Sequence, residues 1–162
     1  MTRTLGQATG GHLEAQVRLA CEYYLTRRIA RLDKVSTPIA QVGRVGADGR
    51  FQACYAADAH VDFIGVWLEA APAAFQGKAI AIECKATLQA TLPLSRIEPQ
   101  QRAWLDDVHF AFVLVHFVAM GTTRLVPWHT LPAGASRITV LDGWACSAAL
   151  ALEPQLKAVG AR

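Results

Sequence analysis

The chain has 162 residues, of which 52% are hydrophobic and 18% charged. That is enough for one domain with a sizeable core and too apolar for a disordered chain. The formal net charge is only +3 and the longest apolar run, 110–120, contains His116; at about half the length of a membrane span it excludes a transmembrane helix.

The N-terminal "MTRTLGQATGG" lacks the apolar stretch of a signal peptide. Cys21, Cys54, Cys84 and Cys146 form no CxxC pair. A cytoplasmic location without disulfides or a zinc site is therefore expected.

Residues 1–11 are polar and Gly-rich and read as a flexible basic arm carrying Arg3. Residues 12–162 read as a single domain. From Leu13 to Leu32 the apolar positions recur at three and four, which predicts an amphipathic helix. "STP" (36–38) closes it, because the residue before a proline leaves the helical region.

The period then changes to two. Strands are predicted over 39–45 and 50–56 around a "GADG" turn, then over 61–68 and 79–85. An irregular connection over 86–97 leads to a short helix over 98–109, with Pro99 at its first position. Strands follow over 110–118 and 123–128, an edge strand over 137–143, and a helix over 145–159. The order predicts one mixed α/β domain.

Charged residues intrude on two of these strands. Asp62 lies in "HVDFIGVW", and Glu83 and Lys85 lie in "AIECKA". Alternation puts Glu83 and Lys85 on one face. Acids in core strands are costly without a partner, and a divalent cation is one such partner. It would take oxygens from Asp62, from Glu83 and from the backbone carbonyl of Cys84, the hard ligands that magnesium and manganese prefer. Lys85 would position or activate a water and offset charge building on a phosphate. The spacing D-(x20)-E-x-K thus points to metal-dependent phosphodiester hydrolysis. Arg18, Arg27, Arg28, Arg31 and Lys34 crowd a segment with few acids, a pattern that suits a polyanion. No phosphate-loop, dinucleotide or nucleophile-elbow motif is present, so no nucleotide cofactor is expected.

The chain resembles the RecU family of Holliday-junction resolvases, within the PD-(D/E)xK nuclease superfamily. The landmarks are "GHLEAQVRLACEYY", "STPIAQV", "VDFIGVW", "IECKAT", "LPLSRIEPQQ" and "FAFVLVHF", in family order. "TPI" and the "LPLSRI" run set it apart from general nucleases of the superfamily. The resemblance implies a restriction-endonuclease-like mixed sheet flanked by helices. It implies Asp62 and Glu83 as metal ligands, Lys85 as the catalytic lysine, Glu14 as a further carboxylate reaching the metal site, and Gln101 as a site-facing glutamine. Thr87, just past the lysine, would bind phosphate or order a water. Arg3, Arg27, Arg28, Arg31 and Lys34 would contact backbone phosphates. The segment between "TPI" and "VDF", which projects as a stalk in the family, is shortened here to a stub-like hairpin.

The function implied is a Mg2+- or Mn2+-dependent endonuclease that resolves four-way junctions in recombination or repair. It would act as a homodimer, because two symmetric cuts suit twofold-related sites. The alternatives are a nuclease of the same fold acting on other branched or foreign DNA, and a non-catalytic DNA-binding recombination module. His60, two residues before Asp62, reads as a rim histidine. Trp67, Trp104, Trp128 and Trp144 read as core or interface residues.

Overall fold

A computed structural model describes residues 5–36, 39–42, 52–55 and 60–147, together with Leu152 and Gln155. Its framework is a mixed sheet of six strands: β1 (Ala30–Lys34), β4 (Phe63–Trp67), β5 (Ala79–Thr87), β7 (Phe110–Phe117), β8 (Thr122–Pro127) and β10 (Trp144–Cys146), in the order β1-β4-β5-β7-β8-β10. Every neighbour pair is antiparallel except β5 and β7, which are parallel. A parallel pair needs a crossover. Here the crossover carries the helix α2 (Pro99–Asp107). The strands β2 (Ile39–Val42) and β3 (Gln52–Tyr55) pair separately, as do β6 (Thr91–Pro93) and β9 (Arg137–Thr139). Among the described residues no helix is long and apolar enough to cross a membrane.

Each face of the sheet is covered by one helix. Helix α1 (Leu5–Thr26) lays Leu13, Val17, Ala20 and Tyr24 against Phe63, Trp67, Ile80, Ile82, Phe112 and Leu114. Helix α2 buries Leu105 on the other face, in the cluster that holds Ala81, Val113 and Val115. Strands β5 and β7 are largely apolar on both faces because both faces are covered. Glu83 departs most from this, a carboxylate only 1% exposed inside the layer.

The mixed α/β architecture matches the sequence reading, with differences at the ends of elements. The first helix begins at Leu5, so the segment read as an arm is helical from Leu5 onward. It ends at Thr26, not Leu32, and Ala30–Lys34 is a strand. The stop is built by Arg28, whose backbone is left-handed with φ 57°. The N–H of Ile29 bonds back to the Tyr24 carbonyl, and that of Arg28 to Leu25, which is the double closure that usually employs glycine. Leu32 is buried in either reading, and Ala30 joins it at the strand spacing of two; pairing with β4 decides for the strand.

The predicted 137–143 strand is shorter and pairs with β6, away from the main sheet. Trp144–Cys146 extends the sheet beside β8 in place of the start of the predicted helix. The rest of that helix, apart from Leu152 and Gln155, lies outside the described residues, as do the "GADG" turn, Arg3 and Cys54's side chain.

Strands β1 and β4 lie so close that a Cβ at Gly65 would stand 1.9 Å from the Arg31 carbonyl oxygen. The nearest atoms are all β1 backbone, of Arg31 and Leu32, so no flexible group can give way. Gly65→Ala is therefore expected to destabilise the fold by ~3 kcal/mol, read as a lower denaturant midpoint.

Candidate active site

Strand β5 outruns its neighbour β4. The pairing register matches Phe63 with Ile82, so one step further Asp62 stands opposite Glu83. Beyond that point the edge of β5 that faced β4 is open. Asp62 closes the first part of it: its Oδ2 accepts the Cys84 backbone N–H at 2.8 Å. The N–H and C=O of a strand residue leave by the same edge, so the Cys84 carbonyl faces this opening as well. The Asp62 main chain is held from the other side, where its carbonyl accepts the Val35 N–H at 2.9 Å.

Two lysines flank the acids, one from each layer. Lys85 Nζ donates to Glu83 Oε1 at 2.7 Å and to Gln101 Oε1 at 3.2 Å. The same Gln101 oxygen accepts the Glu98 N–H at 3.0 Å, part of the capping box that starts α2. The helix start thereby fixes the amide that orients Lys85. On the α1 side, Lys34 Nζ sits 2.9 Å from Glu14 Oε2 and 3.4 Å from Asp62 Oδ1.

Burial sets the electrostatics. It pushes Glu83 up to about 7, helped by the nearby Asp62 charge and opposed by Lys85. Burial also raises Asp62, against the Cys84 N–H and Lys34, which favour its anion. Burial works against the Lys34 charge, yet Glu14 and Asp62 outweigh it and leave that lysine above its usual range. Glu83 Oε2 is buried with no hydrogen-bond partner among the described residues.

The residues present fit a hard divalent cation. An orphaned carboxylate oxygen, a second carboxylate opposite it and a carbonyl at an open edge supply oxygen donors of the kind magnesium and manganese take, with waters completing the shell. Among the described residues no three His, Cys, Asp or Glu side chains gather as a ready-made ligand set. Glu14, expected as a further carboxylate at the metal, is turned to Lys34 instead.

The other expected site residues are dispersed. Thr87 is 6% exposed, and its hydroxyl works within the β5–β6 turn: it donates to the Thr91 carbonyl at 3.4 Å and accepts the Gln89 N–H at 3.1 Å. It is not presented to a phosphate. Arg27 stacks over Tyr23 at 4.5 Å, Arg28 pairs with Glu69, and Arg31 donates to Asp33 at 3.1 Å. These three are exposed. Lys34 is not among them. It is half-buried and bridges two acids, because β1 carries it to the sheet edge beside Asp62. The sequence offered no sign of this bridge, nor of the His60 ring lying 5.1 Å from Trp104.

A mixed sheet with helices on both faces, and an acid, a second acid and a lysine where β4 and β5 part, is of the restriction-endonuclease-like class. The sequence pattern of Recombination protein U, RecU, matches residues 8–138, and the chain belongs to that family. It is 31% identical over 128 residues to a protein of Lactococcus lactis subsp. lactis named Holliday junction resolvase RecU. It is 30% identical over 128 residues to the protein of that name from Lactococcus lactis subsp. cremoris. Each match covers 73% of this chain and 56% of the relative, so the chain spans little more than half the length of the curated relatives it matches.

The raised Glu83 carries a stability consequence. The folded state holds its proton to about pH 7 while the unfolded state releases it near the ordinary 4.5. Stability from this group is complete below that lower value and is lost as pH rises through about 7; Asp62 has the same sign. In chelator, the melting temperature is expected to fall by about 5 °C from pH 5 to pH 8. Glu83→Gln should flatten that slope, as calorimetry would record.

Proposed function

We propose that the chain is a Mg2+- or Mn2+-dependent endonuclease that cuts four-way DNA junctions, working as a homodimer. The observation that carries this reading is the meeting of Asp62 and Glu83 at the end of β4 and β5, with Lys85 held against Glu83 and Gln101, in a chain of the RecU family. Asp62, Glu83 Oε2 and the Cys84 carbonyl would hold the ion. Once held, the ion supplies Lewis-acid stabilisation of charge developing on the scissile phosphate.

The remaining chemistry falls to the protein's own groups. Lys85 is restrained by two acceptors and brings positive charge to the reacting phosphate without needing to reorganise. Gln101 keeps its ammonium from swinging away, and acts through Lys85 as a positioning residue. Lys34 offsets part of the Glu14 and Asp62 charge, so that with a bound dication this corner of the sheet would carry a small positive charge toward the anionic phosphate. The exposed Arg27 and Arg28 add phosphate affinity that carries no sequence information. Two protomers related by a twofold axis would place two such sites on the paired strands of a junction.

The test is cleavage of a synthetic four-way junction with and without magnesium or manganese. Metal-dependent paired cuts are expected, with Asp62→Asn lowering cleavage at least ~1,000-fold while junction binding in a gel is retained. Equal cleavage of linear duplex would move the chain to a same-fold nuclease of other DNA. Binding without cleavage under any metal would make it a non-catalytic module. Gln101→Ala is expected to lower the cleavage rate by ~10–100-fold without changing metal affinity, checked by single-turnover kinetics alongside calorimetric metal titration.

A further inference from the structure

The two faces of the sheet are not equally covered where β1 and β4 lie. On the α1 face Leu32, Phe63 and Trp67 are buried. On the α2 face Ile64 and Val66 remain half-exposed, and Trp104 at the flank of α2 is 36% exposed. Between them lies a groove of about 460 Å³, floored by Ile64, Val66 and Ala79, with Trp104 on one side and Arg31 and Asp33 on the other. That volume is within the roughly 300–1,000 Å³ of small-ligand sites.

The register makes this groove continuous with the acidic site. Arg31 stands beside Val66, Asp33 beside Ile64, and Ile64 beside Ala81. Residues directly opposite on paired strands share a face. Glu83 and Lys85 follow Ala81 on the same face at spacings of two, about 7 Å per step. Along α2, Trp104 follows Gln101 by three residues, about 4.5 Å of axis. The groove therefore begins one nucleotide's reach from the position a scissile phosphate would take.

We propose that this groove receives one unstacked nucleobase of the DNA substrate beside the cut, laid against Trp104 and met at its edge by Arg31 and Asp33. The inference rests on the proposed DNA-cleaving function and adds a base subsite to it. An indole face stacks on any base and is sequence-tolerant. The His60 ring lies against the indole, 5.1 Å away and tilted by 52°. Arg31 and Asp33, hydrogen-bonded at 3.1 Å, offer donors and an acceptor together. A base edge presents both, whereas a phosphate would be repelled by Asp33. The exposed ion pair on the wall also argues against an apolar segment of a second copy as the occupant.

The experiment is a thermodynamic cycle of junction binding in chelator, where no cutting occurs. Junctions carrying one abasic site at successive positions around the cut are titrated with the unaltered protein, Trp104→Ala and Trp104→Phe. At one position next to the cut, base removal and Trp104→Ala should be non-additive by at least about fivefold, and Trp104→Phe should behave like the unaltered protein. Additive effects at every position would overturn the base subsite while leaving the cleavage reading standing. A change of sedimentation mass with Trp104→Ala in the absence of DNA would assign the groove to a subunit contact and overturn it equally. Failure of the unaltered protein to bind the intact junction would remove the functional reading on which it rests.

Discussion

The hydrogen bond from the Cys84 N–H to the Asp62 carboxylate is the constraint on which the site depends. It joins the end of one strand to the point where its neighbour continues alone. Without it the open edge of β5 would present an unpaired amide, and Asp62 would be free to turn to solvent. With it, two carboxylates from separate strands are fixed opposite one another. The sheet thereby uses its own mismatch in strand length to create a polar corner inside an apolar layer.

That corner is arranged as a balance of charge in which neither side is satisfied fully. Glu83 shares Lys85 with Gln101, while its second oxygen lacks a partner among the described residues. Asp62 shares Lys34 with Glu14. Removing either lysine leaves a buried acid exposed to desolvation without compensation, and this costs more than the pair contributes. Perturbed carboxylates gathered around a buried corner with specific charge partners are the electrostatic mark of a functional site.

The acids and the lysine are legible in the sequence because they break an apolar run at a spacing of two, and no core strand carries such residues without reason. The sheet core is legible from the apolar runs that open β5 and fill most of β7. The end of α1 is not. Arg28 occupies a left-handed position with no glycine to announce it, so helical periodicity runs on in the sequence through Leu32. The strand that follows carries Lys34 to Glu14 and Asp62, neighbours that helical periodicity does not give it. The pairing of β9 with β6 and of β10 with β8 depends on residues far apart in the chain, and short strands carry too little pattern to reveal it. Thr87 follows Lys85 by two residues, yet its hydroxyl bonds within a turn that only the folded backbone defines.

The Tyr24 hydroxyl, at the inner face of α1, accepts the backbone N–H of Leu152 at 3.0 Å, a contact spanning 128 positions. Leu152 is itself wholly enclosed in the α1-side core. A nascent chain thus cannot seal this layer until nearly all of these residues have emerged from the ribosome. Until then the first helix has no lid over its tyrosine, and folding waits on synthesis.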